Sequence, residues 1–371
     1  MKRGRERSVT YPSITPLDKS DGLARDSEDI SVCISFPFRH LNHSFTISVS
    51  RSLYLAAVRS GKSALVPAGT GDAWLAGYYA AFAEDPRLQP VYTALLTKMR
   101  QIRSEQNLTT DEYLEMLAAY VQSLPYDAEK LTAVNRAPRF PVETIVDGRG
   151  ICSDKSVLLA GLLAHEGYAA AILQFSPENH VTAGIPVPSG YDYAKTGYAV
   201  IETTVISYVG DTSGEFAPGR RITSRPKVFP IGHGSRRYGS IAEIRHILTT
   251  LDRLTEKIAP DGPLAGEILR QENMITDEKN RLADRRSRIQ EAEREMHRLQ
   301  SSRSDGFLPA YHAYKEEIDS YNLAVSELGD TITRYNTLVD EFNRLAGETN
   351  FIRHNRLDRR SVTARIRNLQ F

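Results

Sequence analysis

Cysteine is nearly absent. Cys33 and Cys152 are the only two in 371 residues, which excludes a disulfide framework and favours a reducing compartment, the cytoplasm, with both thiols free. No run approaches the roughly 18 consecutive apolar residues of a membrane helix, so no membrane span is expected. The opening stretch MKRGRERSVTYPSITPLDKSDGLARDSED is basic and then polar, without the apolar core of a secretory signal. Neither charge sign is in surplus. Lys plus Arg number 47 and Asp plus Glu 46, a formal net charge of +1, which argues against a chain that coats polyanions. A phosphate-binding loop is missing, because GTGDAW and GRG lack the lysine and the helix context. His40, His43, Asp21 and Cys33 are neighbours without metal-ligand spacing, and no acidic loop suits calcium. No metal and no other cofactor is expected.

What is present is ordinary globular material: 41% hydrophobic, 25% charged and 8% aromatic residues. The length suggests about two or three units. Residues 1–29 are charged and aperiodic, the pattern of a mobile polar arm. From residue 30 the pattern alternates, with Ile30, Val32, Ile34 and Phe36, then Phe45, Ile47 and Val49, so a small β-element is expected, with PFRHLNH joining its strands. Residues 74–125 read as helical. TDEYLEMLAAYVQSL has Thr110 as its expected N-cap, Leu114, Leu117, Val121 and Leu124 on one face, and Pro125 at its end. Residues 126–144 read as loop. CSDKSVLLAGLLAHEG predicts a helix closed by Gly167, and YAAAILQF, VTAGIPV and YAVIETT predict three strands. A helix followed by sheet strands is an α+β pattern. Residues 210–245, rich in Gly, Pro and Arg, carry little regular signal.

Beyond residue 240 two long helices are expected. Tyr311, Ile318, Val325, Ile332, Val339 and Ala346 recur every seven residues, and Tyr314, Tyr321, Leu328, Tyr335 and Phe342 fill the position three later. That is a coiled-coil seam. Ile268, Ile275, Leu282, Ile289 and Met296 keep the same step in a narrower stripe, and SSRSDGFLP supplies a turn between the two. An antiparallel hairpin over 241–350 is expected, and the stripes over 264–346 would equally serve self-association or a partner protein. Residues 351–371 hold six arginines and one acidic residue, without aromatic interleaving, so a solvated basic tail is expected and nucleic acid is not an expected partner.

Chemistry concentrates in 146–204. Cys152 follows Gly150 at the start of a helix, where free N–H groups and the helix dipole favour thiolate, the nucleophilic form. His180 lies 28 residues on, at the turn before a strand, and Glu202 another 22 on, within the next strand segment. Adjacent strands can set an imidazole beside a carboxylate, which fixes the ring tautomer and stabilises imidazolium. Asp154, in the first helical turn, is expected to stabilise the helix start. The backbone N–H of Cys152 is the natural oxyanion donor, and the hydroxyl of Tyr126 is a candidate for the second.

The runs FPVETIVDGRGICSDKSVLLAGLLAHEGYAAAILQF, HVTAG and YAVIETT, preceded by VQSLPYD, resemble the transglutaminase-like superfamily, most of all its prokaryotic branch of predicted cysteine proteases. The resemblance covers about residues 110–210. It implies a papain-like core in which a helix bearing the cysteine packs on an antiparallel sheet. It also implies a triad of Cys152 as nucleophile, His180 as base and Glu202 where relatives carry Asp. The expected organisation is therefore a transglutaminase-like α+β domain over 30–240, a helical hairpin over 241–350 and a basic tail over 351–371. Ile151 and Ser153 depart from the residues common in relatives, and neither removes a triad member. The expected function is thiol-dependent acyl transfer, chiefly hydrolysis of peptide or protein carboxamides. The alternative is a catalytically silent domain that binds or scaffolds through its helical arm.

Overall fold

The computed structural model describes residues 8–17, 28–134, 136–303 and 305–369. The chain divides into two compact units, one built from residues 1–248 and 355–371, the other from 249–354.

The first unit begins with an antiparallel pair, β1 (Ile30–Phe38) and β2 (Leu41–Val49), in register from Ile30↔Val49 to Phe38↔Leu41. The connection is shorter than the sequence suggested. Only Arg39 and His40 form it, both at positive φ, the backbone of a two-residue hairpin whose twist matches the strands. Val32, Ile34, Phe36 and Phe38 are the buried face of β1. Among the described residues six α-helices precede the cysteine: α1 (Arg51–Arg59), α2 (Trp74–Ala83), α3 (Gln89–Glu105), α4 (Thr110–Ser123), α5 (Ala128–Thr132) and α6 (Pro141–Asp147), the last leading into α7 (Cys152–His165). The N-cap of α4 is Thr109 and not Thr110. Its hydroxyl accepts from the Glu112 N–H at 3.3 Å while the Glu112 carboxylate accepts from the Thr109 N–H at 2.8 Å, a reciprocal box that Thr110 cannot form with the same glutamate. The stretch 126–144 is likewise not all loop, since Asp127 caps α5 and Pro141 opens α6.

Sheet strands follow. β3 (Ala171–Phe175), β4 (His180–Pro186) and β5 (Tyr198–Ile201) are joined by a small hairpin, β6 (Glu215–Ala217) with β7 (Arg220–Arg221), and by β8 (Lys227–Pro230). The main sheet has four antiparallel strands in the order β5-β4-β3-β8. The fourth strand comes from the segment that carried no regular signal. It is short and at an edge, where Pro230 is tolerated because no neighbour needs its missing N–H. α7 packs on β4 and is walled by α2, α4 and α6. Val157, Leu158, Leu159, Leu162 and Leu163 are fully buried along it, each contributing roughly 1.5–3 kcal/mol by leaving water. Gly161 admits the closest approach: a Cβ there would lie 2.0 Å from the Tyr92 hydroxyl, which donates to the Ala83 carbonyl at 2.8 Å.

Two expectations of solvated ends change. Of the expected arm, residues 1–7 and 18–27 lie outside the described residues. Residues 8–17 are packed: Thr10 bridges Leu65, and Ile14 is buried with its N–H donating to Asp85 at 2.8 Å. The arginine-rich stretch after residue 354 is not a solvated tail. It forms α11 (Arg359–Ile366), buries Val362 and Ile366, and belongs to the first unit. α8 (Ile241–Ile258) runs across the division between units. The second unit contains α9 (Pro263–Ser301) and α10 (Phe307–His354). They are antiparallel, as the pairs Arg285 with Ser320 and Arg288 with Glu317 require. Ile318, Tyr321, Leu328, Ile332, Tyr335, Val339 and Phe342 are half-buried, whereas Tyr311 and Val325 are exposed and Ala324 is buried in the place expected for Val325. No helix among the described residues is long and apolar enough to cross a membrane.

Candidate active site

Cys152 is the first residue of α7, preceded by Ile151 in extended backbone. The helix start is held from two sides. The Asp154 carboxylate accepts from the Ile151 N–H at 3.0 Å and from the Arg139 N–H at 2.8 Å, and pairs with Lys130 at 2.6 Å. The Arg139 guanidinium stands 3.7 Å from the same carboxylate, so the charge of Asp154 is spent on the loop and on two cations. From the other side Tyr126 bridges Gly150 in parallel.

The β3–β4 hairpin turns at Asn179, whose φ is positive, and delivers His180 as the first residue of β4. The register ends at Ala183↔Ile201, and one further step along the same line would set Glu202 opposite Thr182. Period-two alternation then places His180 and Glu202 on one face as diagonal neighbours. Glu202 is not within β5 but one residue past its end, where the chain turns. One carboxylate oxygen accepts from the Thr203 and Thr204 N–H groups at 2.9 and 2.8 Å and from the Thr204 hydroxyl at 2.6 Å. The other meets His180 Nε2 at 2.7 Å. With Nε2 so engaged, Nδ1 is the ring nitrogen left for the Cys152 side chain, which lines the same cleft and helps to raise the His180 pKa. The Ser156 hydroxyl, one turn along α7 from Cys152, donates to the Val181 carbonyl at 3.1 Å and meets the Thr203 hydroxyl at 3.1 Å. The cysteine helix, the histidine strand and the glutamate turn are thus fastened at one point.

Burial would strip charge from His180, but hydrogen bonds to Cys152 and Glu202 and the nearby carboxylate outweigh it, and its pKa is pushed up to about 9. Glu202 is likewise buried, yet its bonds to His180 and Thr204 hold its pKa below the ordinary value. The Tyr126 hydroxyl lies beside both the backbone N–H and the thiol of Cys152, and burial together with Cys152 pushes it up to about 12. It is therefore a neutral donor at physiological pH. The structure brings together Cys152, His180, Glu202 and Tyr126.

Further residues complete the site, and of these Phe216 and Lys155 carried no sequence signal. Phe216, on β6, stacks on the His180 ring with centroids 3.9 Å apart and planes 9° from parallel. Leu173, Phe175, Val200 and Ile222 form the cluster against which Phe216 rests. Lys155 is fully buried and donates to the carbonyls of Gln122 and Leu124 at 3.2 and 2.8 Å; the Gln122 amide donates in turn to the Glu202 carbonyl at 2.8 Å. The Ser153 hydroxyl is buried with no hydrogen-bond partner among the described residues. A cleft of about 530 Å³ opens over Cys152 and His180, with Tyr79, Tyr126, Gln174 and Phe216 among its walls. Among the described residues no three His, Cys, Asp or Glu side chains cluster as a metal site would need.

Residues 97–199 match a family model described as a transglutaminase-like domain. No curated protein and no solved structure matches the chain. The matched span holds α4, α7, Cys152 and His180 and ends just before Glu202.

Proposed function

We propose that the transglutaminase-like domain at residues 97–199, completed by Glu202, is a thiol acyl-transfer enzyme that hydrolyses peptide or protein carboxamides. The observation that carries this reading is the buried imidazole of His180 held between the Cys152 side chain and the Glu202 carboxylate. The proposal includes the finer fold reading, a papain-like core with the cysteine on the central helix and the other two groups at consecutive strands.

Cys152 is the nucleophile, and His180 holds its proton as imidazolium. The sulfur attacks the carbonyl carbon, the carbonyl π electrons move to oxygen, and a tetrahedral intermediate forms. The Cys152 backbone N–H and the Tyr126 hydroxyl donate to that oxygen. His180 gives its proton to the leaving nitrogen, the C–N bond breaks, and a thioester remains. A water then attacks the thioester while neutral His180 takes its proton. The thiolate leaves, and the carboxylic acid is released. Glu202 keeps the ring oriented and stabilises its charged form throughout, without taking the proton. An amine in place of water would give transamidation by the same steps. Hydrolysis is the preferred reading because water needs no acceptor pocket. A cytoplasmic location, where both thiols stay reduced, completes the proposal.

The test is alkylation with iodoacetamide followed by mass spectrometry. Exposed Cys33 is an internal control. Cys152 is expected to react faster than Cys33 at pH 6, and the Glu202→Gln variant is expected to lose most of that advantage. Equal reactivity of the two thiols at pH 6 would overturn the catalytic reading and leave a binding or scaffold domain.

A further inference from the structure

We propose that the Cys152 cleft selects acidic peptide segments, so that the carboxamide it attacks is flanked by Asp or Glu side chains; this rests on the acyl-transfer reading above. Two guanidinium groups, Arg136 and Arg220, line the cleft together with neutral polar groups such as Gln174, Asn179 and Thr204, and no carboxylate among the described residues lines it. Neighbouring cations are already neutralised. Arg139 pairs with Asp127, Asp147 and Asp154; Arg149 pairs with Asp127 and Glu129; Lys130 pairs with Asp154. Arg136 and Arg220 differ. Among the described residues neither is paired with a carboxylate. Arg136 donates from Nε to the Ala133 carbonyl at 3.4 Å.

Arg220 is the better positioned of the two. Its guanidinium carbon lies 5.2 Å from the centre of the Phe216 ring, and one terminal nitrogen donates to the Glu178 carbonyl. The opposite contact of Phe216 is the stack on His180. The positive charge is therefore fixed one ring away from the imidazole that moves the proton. A guanidinium has five N–H donors in a rigid fork matched to carboxylates, and most of those on Arg220 are uncommitted. The Glu178 side chain does not quench it, because that carboxylate is turned onto Thr223 and Ser224, accepting from both N–H groups and both hydroxyls at 2.6–2.9 Å. The charge of His180 is matched by Glu202, so the two arginines set the sign of the cleft, and two cations without a carboxylate partner repel a basic peptide and attract an acidic one.

The probes are matched fluorescein-labelled pentapeptides with a central glutamine flanked by two glutamates, two glutamines or two lysines. Binding is measured by anisotropy with full-length Cys152→Ala protein at low salt. Turnover is measured separately with wild-type protein and the corresponding fluorogenic amides. The glutamate peptide is expected to bind about tenfold more tightly than the lysine peptide, with the gap closing as salt is raised. The Arg136→Glu, Arg220→Glu double variant is expected to reverse the order, which an unfolded protein cannot do. Should that variant not fold, Arg136→Gln and Arg220→Gln singly are expected to lower the preference about threefold each. Equal binding of the three peptides, no binding of any of them, or a preference untouched by these substitutions overturns the proposal even if turnover proceeds. Selective binding without turnover upholds the acidic-peptide site and sinks the acyl-transfer reading instead.

Discussion

A buried imidazole ordinarily sheds its proton, and His180 keeps its own because two partners oppose desolvation. That has a thermodynamic sign. The folded pKa of about 9 lies above the unfolded value of 6.5, so the stabilisation is fully present below pH 6.5 and is lost as pH rises through about 9. Lys155, whose pKa burial lowers from 10.5 to about 8, acts in the opposite direction, but only above about pH 8. In the interval from 6.5 to 8 His180 therefore dominates, opposed only near its lower edge by His43, whose pKa burial lowers. Chemical denaturation at the two pH values should show a loss of about 2 kcal/mol in wild type and much less in Glu202→Gln. A flat wild-type profile would remove the charged pair. If the enzyme turns over, the same pair should give its rate profile an alkaline limb near pH 9 that shifts downward in Glu202→Gln. Cys152→Ala should fold normally and have no turnover, checked by circular dichroism beside the fluorogenic assay. At this scale the sequence was informative for residues whose role follows from local context. A cysteine after a glycine at a helix start, and a histidine and a glutamate bounding short apolar runs, are such cases. Phe216 and Arg220 were hidden because strands of two and three residues are too short to display a period of two. Only the tertiary cluster beneath Phe216 brings its ring to the imidazole.

α7, β4 and the turn after β5 owe their mutual placement to one hydroxyl as well as to apolar packing. Replacing it in Ser156→Ala leaves the Val181 carbonyl and the Thr203 hydroxyl short of a partner, at a cost of about 1–3 kcal/mol. The expected kinetic result is a fall in kcat with little change in KM, because alignment of Cys152 with His180 suffers while the cleft walls remain. A fall in KM alone would argue that Ser156 has no part in that alignment. The elements themselves were legible in proportion to their length and periodicity. α4, α7, β3 and β4 appeared in the apolar pattern, and Gly167 does end α7 region at a φ of 83°. α5 and α6 were missed because each is under two and a half turns and is set by caps and a proline more than by a stripe. In the second unit, Ile332 is half-buried on α10. Ile332→Asp should lower the stability of that unit by about 2 kcal/mol, seen by calorimetry as a shift in one transition while the other is unchanged.

The first unit is assembled from two separated stretches of chain, 1–248 and 355–371. Arg359, on α11, is buried; it pairs with Glu115 of α4 at 2.6 Å and with Glu243 of α8, and Glu115 also accepts from the Tyr238 hydroxyl at 2.6 Å. Arg39 of the β1–β2 turn donates its N–H to the Leu357 carbonyl at 3.3 Å. Removing one partner of a buried ion pair strands the other, so Arg359→Ala should cost about 3–5 kcal/mol, measured as a drop in the denaturation midpoint of the first unit. Val362 and Ile366 did give a one-turn apolar spacing, but the surrounding arginines obscured it. The long insertion between the two stretches also imposes an order on biosynthesis. A ribosome delivers Cys152, His180 and Glu202 long before it delivers the guanidinium that Glu115 awaits. A nascent chain paused anywhere in α9 or α10 therefore holds all three side chains in a shell that has yet to be fastened, and protease resistance of the first unit should rise only after residue 366 has emerged.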